Sequence, residues 1–159
     1  MAALTIRFVT QGGFVSEAIR AVTFSEFSHT ELGTETGTWI GAHDDGGVEE
    51  RPADYYVATF ERRYSVPVTD AGYTAGMKYA QSKIGAPYNF KDIFGELIHK
   101  DLTTAGAFDC SMFMFEVLFA AGIQALNILP GHANLVTPDT LHLSPIFIGR
   151  CIYETSKPS

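Results

Sequence analysis

Ala107-Phe108-Asp109-Cys110-Ser111-Met112-Phe113-Met114-Phe115 is the stretch on which the reading of this chain turns. Asp109 is a residue type that caps helices, and the run after it is almost wholly apolar, with Glu116 its one charge before Gly122. A helix that is apolar on every side has to be enclosed, so Cys110 to Gly122 is expected to be the central helix of the fold. It places a thiol at the first helical position, where partial positive charge and free N–H groups stabilise a thiolate. The competing reading is a buried packing thiol, since free cysteines are commonly buried.

Length and composition frame that choice. At 159 residues and 46% hydrophobic, the chain suits one domain, residues 1–159, with a substantial core. A net charge of -7, from 11 basic and 18 acidic residues without a Lys/Arg cluster, speaks against nucleic-acid or anionic-membrane partners. The two cysteines, Cys110 and Cys151, lie in unlike contexts, so a disulfide framework is not expected. Met1 to Arg7 has no basic segment leading into an apolar one, and no run approaches the ~20 apolar residues of a membrane span. A cytoplasmic protein without stable membrane insertion is the expectation.

Along the chain, Leu4 to Thr10 alternates at period two and predicts a half-buried strand, followed by a short helix over Val15 to Val22. Ser28 to Gly33 and Thr38 to His43 read as a hairpin that puts His29 and Glu31 on one face. After a turn at Asp44 to Gly47 and a break at Arg51 to Asp54, Tyr55 to Val68 predicts one long strand or two short ones, bent at Arg62 and Arg63. Asp70 is expected to cap a helix carrying Tyr73, Met77, Ala80 and Ile84 and ending at Gly85. Gly72 and Gly76 weaken that helix, so packing must hold it. A turn at Pro87 to Phe90, a helix at Asp92 to His99 and a polar loop at Asp101 to Gly106 lead back to the opening motif. Beyond it come an irregular stretch at Pro130 to Asn134, a helix start at Thr137-Pro138, and a closing strand from Ile146 to Tyr153. This order predicts an α+β fold with one antiparallel sheet packed on the Cys110 helix.

A cysteine nucleophile needs a base within reach, and the base needs an orienting partner. His29 opens a strand and faces the same way as Glu31. His43 ends the partner strand beside the Asp-Asp-Gly-Gly turn, where an exposed turn residue is the plainer reading. His99, His132 and His142 read as surface residues, and Cys151 as a packing thiol in a strand. No C-x-x-C, H-E-x-x-H or phosphate-cradling glycine motif is present, so spacing supports neither a metal nor a cofactor.

Ala80-Gln81-Ser82-Lys83-Ile84-Gly85-Ala86-Pro87-Tyr88-Asn89-Phe90, followed by Phe108-Asp109-Cys110-Ser111, resembles the helix, turn and helix start of the NlpC/P60 cysteine amidase superfamily. Ser28-His29-Thr30-Glu31-Leu32 lies upstream of the cysteine rather than downstream. That order is similar to the circularly permuted, papain-like branch, which includes YiiX/YebB-like hydrolases and is related to the lecithin:retinol acyltransferase group. Gly41 to Val48 and Val136 to Asp139 also resemble that branch, in particular its phage and prophage types.

The resemblance implies Cys110 as nucleophile, His29 as general base and Tyr88 as a residue of the substrate cleft. The third catalytic position falls near Gly41, which has no side chain, so Glu31 or His43 takes the role. Glu31 is preferred, because a carboxylate both orients an imidazole and stabilises its cation. The implied function is cleavage of an amide bond, in a peptide, an isopeptide or a peptidoglycan-derived cell-wall peptide, through an acyl-enzyme and without a cofactor, in a protein that a phage could deliver. Two other functions compete. One is an inactive accessory or virion-associated binding domain; the other is a lipid-directed thiol acyltransferase or esterase, drawing on the apolar Phe108, Met112 and Met114.

Overall fold

In the computed structural model, which describes residues 1–12, 17, 26–89, 108–129 and 136–155, the alternation of Leu4, Ile6 and Phe8 with Thr5, Arg7 and Val9 becomes strand β1 (Ala2–Thr10). β2 (His29–Gly33) and β3 (Trp39–His43) follow as the expected hairpin. β4 (Gly47–Arg51) and β5 (Phe60–Val68) come next, and β6 (Cys151–Glu154) closes the sheet. The strands pair antiparallel in the order β4-β3-β2-β1-β5-β6.

Directly opposed residues share a face of a sheet, so the register separates two layers. Ile6 opposes Leu32 and Tyr64, Leu4 opposes Val66, and Leu32 opposes Ile40; these side chains pack with Phe113, Met114, Val117 and Leu118 in the apolar core. On the other face Arg7 opposes Glu31 and Arg63, while Val9 opposes His29 and Glu61. A one-sided sheet would wet that second face. Here Arg7, His29, Glu31 and His43 on it are all buried.

Among the described residues two long helices pack on the apolar face. Thr69, not Asp70, is the N-cap of α1 (Asp70–Ser82), its hydroxyl accepting from Gly72 N at 3.0 Å, and Asp70 is the first helical residue. α2 (Cys110–Ala120) lies against α1, β2 and β3. The packing that must hold α1 passes through its glycines: a Cβ at Gly72 would stand 2.5 Å from the Ala121 carbonyl oxygen, and one at Gly76 would stand 3.1 Å from Ala121 Cβ. Glu116, the lone charge of α2, takes its hydrogen bond from the Tyr79 hydroxyl of α1.

Four expectations are corrected. The strand at Tyr55 to Val68 starts only at Phe60, and Arg62 and Arg63 lie inside β5, where a register shift against β6 falls between Arg63 and Tyr64. Ile146 to Tyr153 divides into a 3-10 turn (Pro145–Phe147) and β6, because Pro145 sets a turn conformation and Gly149 has φ 69°. Cys151 is exposed on that edge strand rather than packed. His142, at the end of α3 (Pro138–His142), is half-buried, with its Nε2 2.7 Å from the Tyr64 hydroxyl and its ring against Phe8 and Phe27. The helices expected at Val15 to Val22 and Asp92 to His99, the loops at Asp101 to Gly106 and Pro130 to Asn134, and His99 and His132 lie outside the described residues. No helix among the described residues is long and apolar enough to cross a membrane.

Candidate active site

Cys110 is placed by its cap. The Asp109 carboxylate accepts from Ser111 N at 2.8 Å and Met112 N at 2.9 Å, and the Asp109 carbonyl accepts from Phe113 N at 3.0 Å. The carboxylate thereby engages two of the four N–H groups that a helix start leaves without an intrahelical partner, those of Ser111 and Met112, and the Cys110 N–H lies outside the cap. The helix start is held from upstream as well. Phe108 N donates to the Pro87 carbonyl at 2.9 Å, and Asn89 N to the Phe108 carbonyl at 3.0 Å. The Gly85 to Tyr88 turn is bound in its own right to β4, through Val48 N to the Ala86 carbonyl at 2.9 Å and Gly85 N to the Val48 carbonyl at 2.8 Å. Tyr88, half-buried, forms a bridge with Phe108, two residues before the thiol. Asp109→Ala is expected to cost about 1–2 kcal/mol, read as a lower urea midpoint at unchanged slope.

Cys110 is buried, with Sγ 3.9 Å from the Ser28 carbonyl oxygen, and the next residue in the chain is His29. His29 is buried beside both Cys110 and Glu31. Burial opposes a charged ring, but the adjoining Cys110 and Glu31 outweigh it and push His29 up to about 10. Nε2 is the nitrogen turned toward Glu31, 3.7 Å from Oε1, so Nδ1 is the one left for the thiol.

Glu31 is the hub of this face, and it is wholly buried. Its Oε2 accepts from Arg7 Nε at 2.6 Å and its Oε1 from the Tyr55 hydroxyl at 2.9 Å, while the Tyr56 hydroxyl is 3.5 Å from Oε2. Burial would raise the carboxyl, but His29 and Arg7 hold it down at about 2. The Arg7 guanidinium in turn lies 4.1 Å from the Trp39 ring centroid and 3.8 Å from Glu61 Oε1. His43 is not an exposed turn residue. Its Nε2 is 3.5 Å from Glu31 Oε1, and burial together with the charge of His29 pushes it down to about 3, so its ring is neutral.

Both sequence candidates for the third position therefore stand next to His29. Gly41 explains how they fit: a Cβ there would be 2.8 Å from Glu31 Cγ, 3.3 Å from His29 Nε2 and 3.4 Å from His43 Nε2. The position that lacks a side chain is the one that leaves room for the three around it. Sequence reading missed Arg7, Tyr55, Tyr56 and Trp39. Arg7 had no local signal, because a charge in an alternating strand reads as its solvent side; Tyr55 and Tyr56 were hidden by being read as strand.

A ligand atom from each of His29, Glu31 and His43 lies within 4.8 Å of the other two. Linear spacing did not reveal this set, because strand pairing brings His43 to the other two. The Nε2 atoms of His29 and His43 are both buried without a hydrogen-bond partner. Two orphaned imidazole nitrogens and a carboxylate oxygen, grouped where Gly41 adds no side chain, are a donor set that a divalent ion of the zinc class fits.

The fold and the site define an α+β protein with a six-stranded antiparallel sheet, in which a capped cysteine meets a buried His–Glu–His cluster. No family model and no curated protein matches the chain. A solved structure described as metalloprotein YiiX from Escherichia coli O157:H7, DUF1105, is similar over 99% of this chain and 97% of that chain, at TM-score 0.65 and 16% identity. The likeness extends over the whole fold, which is of the YiiX kind.

Proposed function

We propose that this chain is a cysteine hydrolase of the circularly permuted NlpC/P60, papain-like kind, acting on an amide bond in a peptide, an isopeptide or a cell-wall peptide. The observation that carries the reading is the buried His29 ring, set between the thiol of a capped helix start and the Glu31 carboxylate. In the first step the Cys110 sulfur bonds to the carbonyl carbon and the oxygen takes the electron pair, with the Cys110 N–H as the helix-start donor toward it. The C–N bond then breaks as His29 gives its proton to the leaving amine. Water, deprotonated by His29, attacks the thioester and releases the acid and the thiol. Glu31 positions the ring and stabilises its cation, and Arg7 and Tyr55 keep Glu31 ionised and fixed in orientation. YiiX is described as a metalloprotein. In this chain His29, Glu31 and His43 are the residues that would hold an ion, which would supply a Lewis acid there; every step above belongs to the chain's own groups.

Phe108 and Met114 are core residues and Met112 packs against that core, which favours the amide reading over a lipid-directed one. The test is iodoacetamide alkylation of Cys110 as a function of pH, in a Cys151→Ser background because Cys151 is exposed. Cys110 is expected to be alkylated at neutral pH markedly faster than a cysteine in a free peptide, and to lose that advantage in His29→Ala. If both proteins react as an ordinary thiol, the hydrolase reading is overturned and the accessory-domain reading takes its place.

A further inference from the structure

The lone pairs around Glu31 Oε1 do not balance within the chain. The Tyr55 hydroxyl has one proton and donates it to Oε1 at 2.9 Å. Toward His43 Nδ1, 3.4 Å away, that oxygen can then only accept, which assigns the His43 proton to Nδ1. His43 Nε2 is left as a bare lone pair, buried and without a partner, facing a carboxylate oxygen 3.5 Å away. His29 Nε2 faces the same oxygen from 3.7 Å and is also unpartnered. The His43 lone pair and the carboxylate oxygen, two acceptors facing each other in a buried space, repel unless a positive centre lies between them, and an ion there would displace the proton that His29 otherwise holds.

Their spacing suits an ion. Tetrahedral zinc bonds of about 2.0–2.1 Å separate neighbouring ligand atoms by about 3.3 Å; the two nitrogen–oxygen separations, 3.7 and 3.5 Å, are close to that, and all three atoms lie within 4.8 Å of one another. The other groups fit the same picture. Arg7 takes Oε2, so that Oε1, with one lone pair on the Tyr55 hydroxyl, keeps a second for an ion; Tyr55 also holds the His43 ring from its far nitrogen, and Gly41 adds no side chain between the three groups. Two imidazoles and one carboxylate select a zinc-class ion over calcium or magnesium, which take oxygen ligands.

We infer that His29 Nε2, Glu31 Oε1 and His43 Nε2 bind one divalent ion of the zinc class, with Tyr55 as the positioning residue of His43. Cys110 is not one of the ligands. A consequence, which rests on the proposed hydrolase reading, is that the ion and the thiol chemistry draw on the same two side chains, so an ion-loaded chain turns over poorly. Binding itself does not depend on that reading.

The experiment uses the untagged full chain. Zn²⁺ affinity and stoichiometry are measured by competition with a chromophoric chelator, and Co²⁺ is added in parallel to record its visible ligand-field bands. One ion per chain is expected, in the wild type and equally in Cys110→Ser. Tyr55→Phe should bind about 10–100-fold more weakly, as is usual when a ligand loses its outer hydrogen-bond partner, and His43→Ala more weakly still. Each variant is checked for native circular dichroism, and Tyr55→Phe carries the test if His43→Ala does not fold. The inference is overturned if the wild type binds less than one ion per chain, if Tyr55→Phe binds like the wild type, or if Cys110→Ser loses the ion while His43→Ala keeps it. The alkylation profile of Cys110 without metal reports on the hydrolase reading separately, so either reading can fail alone.

Discussion

Glu31→Gln is expected to lower stability by about 3–5 kcal/mol, the usual result of removing one partner from a buried ion pair. The cause is what remains. Arg7 is 2% exposed and makes its 2.6 Å bond to a carboxylate that is 0% exposed. A glutamine amide can still accept that hydrogen bond but does not neutralise the guanidinium, and Glu61 Oε1, at 3.8 Å, is already shared with Arg63. The pH dependence gives an independent reading. Glu31 has its carboxyl at about 2 in the fold against an ordinary 4.5, so its contribution is complete above about 4.5 and is lost as the pH falls toward 2. His29 has the opposite sign. Raised from 6.5 to about 10, it contributes fully below about 6.5, and that contribution is lost as the pH rises through 10. Urea unfolding between pH 2 and 5 should therefore show a steep acid limb in the wild type and a flattened one in Glu31→Gln. Equal slopes in the two proteins would mean that Glu31 is not the group being titrated.

Phe113→Ala is expected to cost about 3–5 kcal/mol through the cavity it leaves. Phe113 is 0% exposed, lies one turn beyond Cys110, and packs edge-on against Phe108 with ring centroids 6.2 Å apart. Phe108 also carries the backbone bonds that join the helix start to Pro87 and Asn89. A void at this point therefore loosens the first turn of α2 as well as the core. The midpoint of urea unfolding reads the first effect. The rate of Cys110 alkylation at neutral pH reads the second, and it should fall more than in a core truncation distant from the thiol, such as Val66→Ala.

Several parts of the site were legible in the residues because the governing interactions are local. An Asp immediately before an apolar helical run is a cap whatever surrounds it, and period-two alternation puts His29 and Glu31 on one face of their strand without reference to any other strand. His43 was misjudged because its neighbours along the chain, Asp44 and Asp45, are exposed, whereas its burial comes from β2 and from Tyr55, which lie across the fold. Arg7 was passed over for the same reason. An arginine in an alternating strand reads as the solvent side until the β1–β2 register places it opposite Glu31. Gly72 and Gly76 read along the chain as costs to α1, and their benefit, close approach to Ala121, exists only once α2 lies alongside.

The amino-acid sequence by itself determined the pieces: the capped apolar helix that begins at Cys110, the His29–Glu31 strand, the hairpin after it, and an α+β order. These follow from periodicity and from backbone valences satisfied within a few residues. Tertiary structure alone decided what the polar face of the sheet became. Register set Arg7 against Glu31, strand pairing brought His43 and Gly41 beside His29, and the segment between β4 and β5 laid Tyr55 and Tyr56 over the carboxylate. Those contacts join residues far apart in the chain, and their strength comes from burial, which no local pattern encodes.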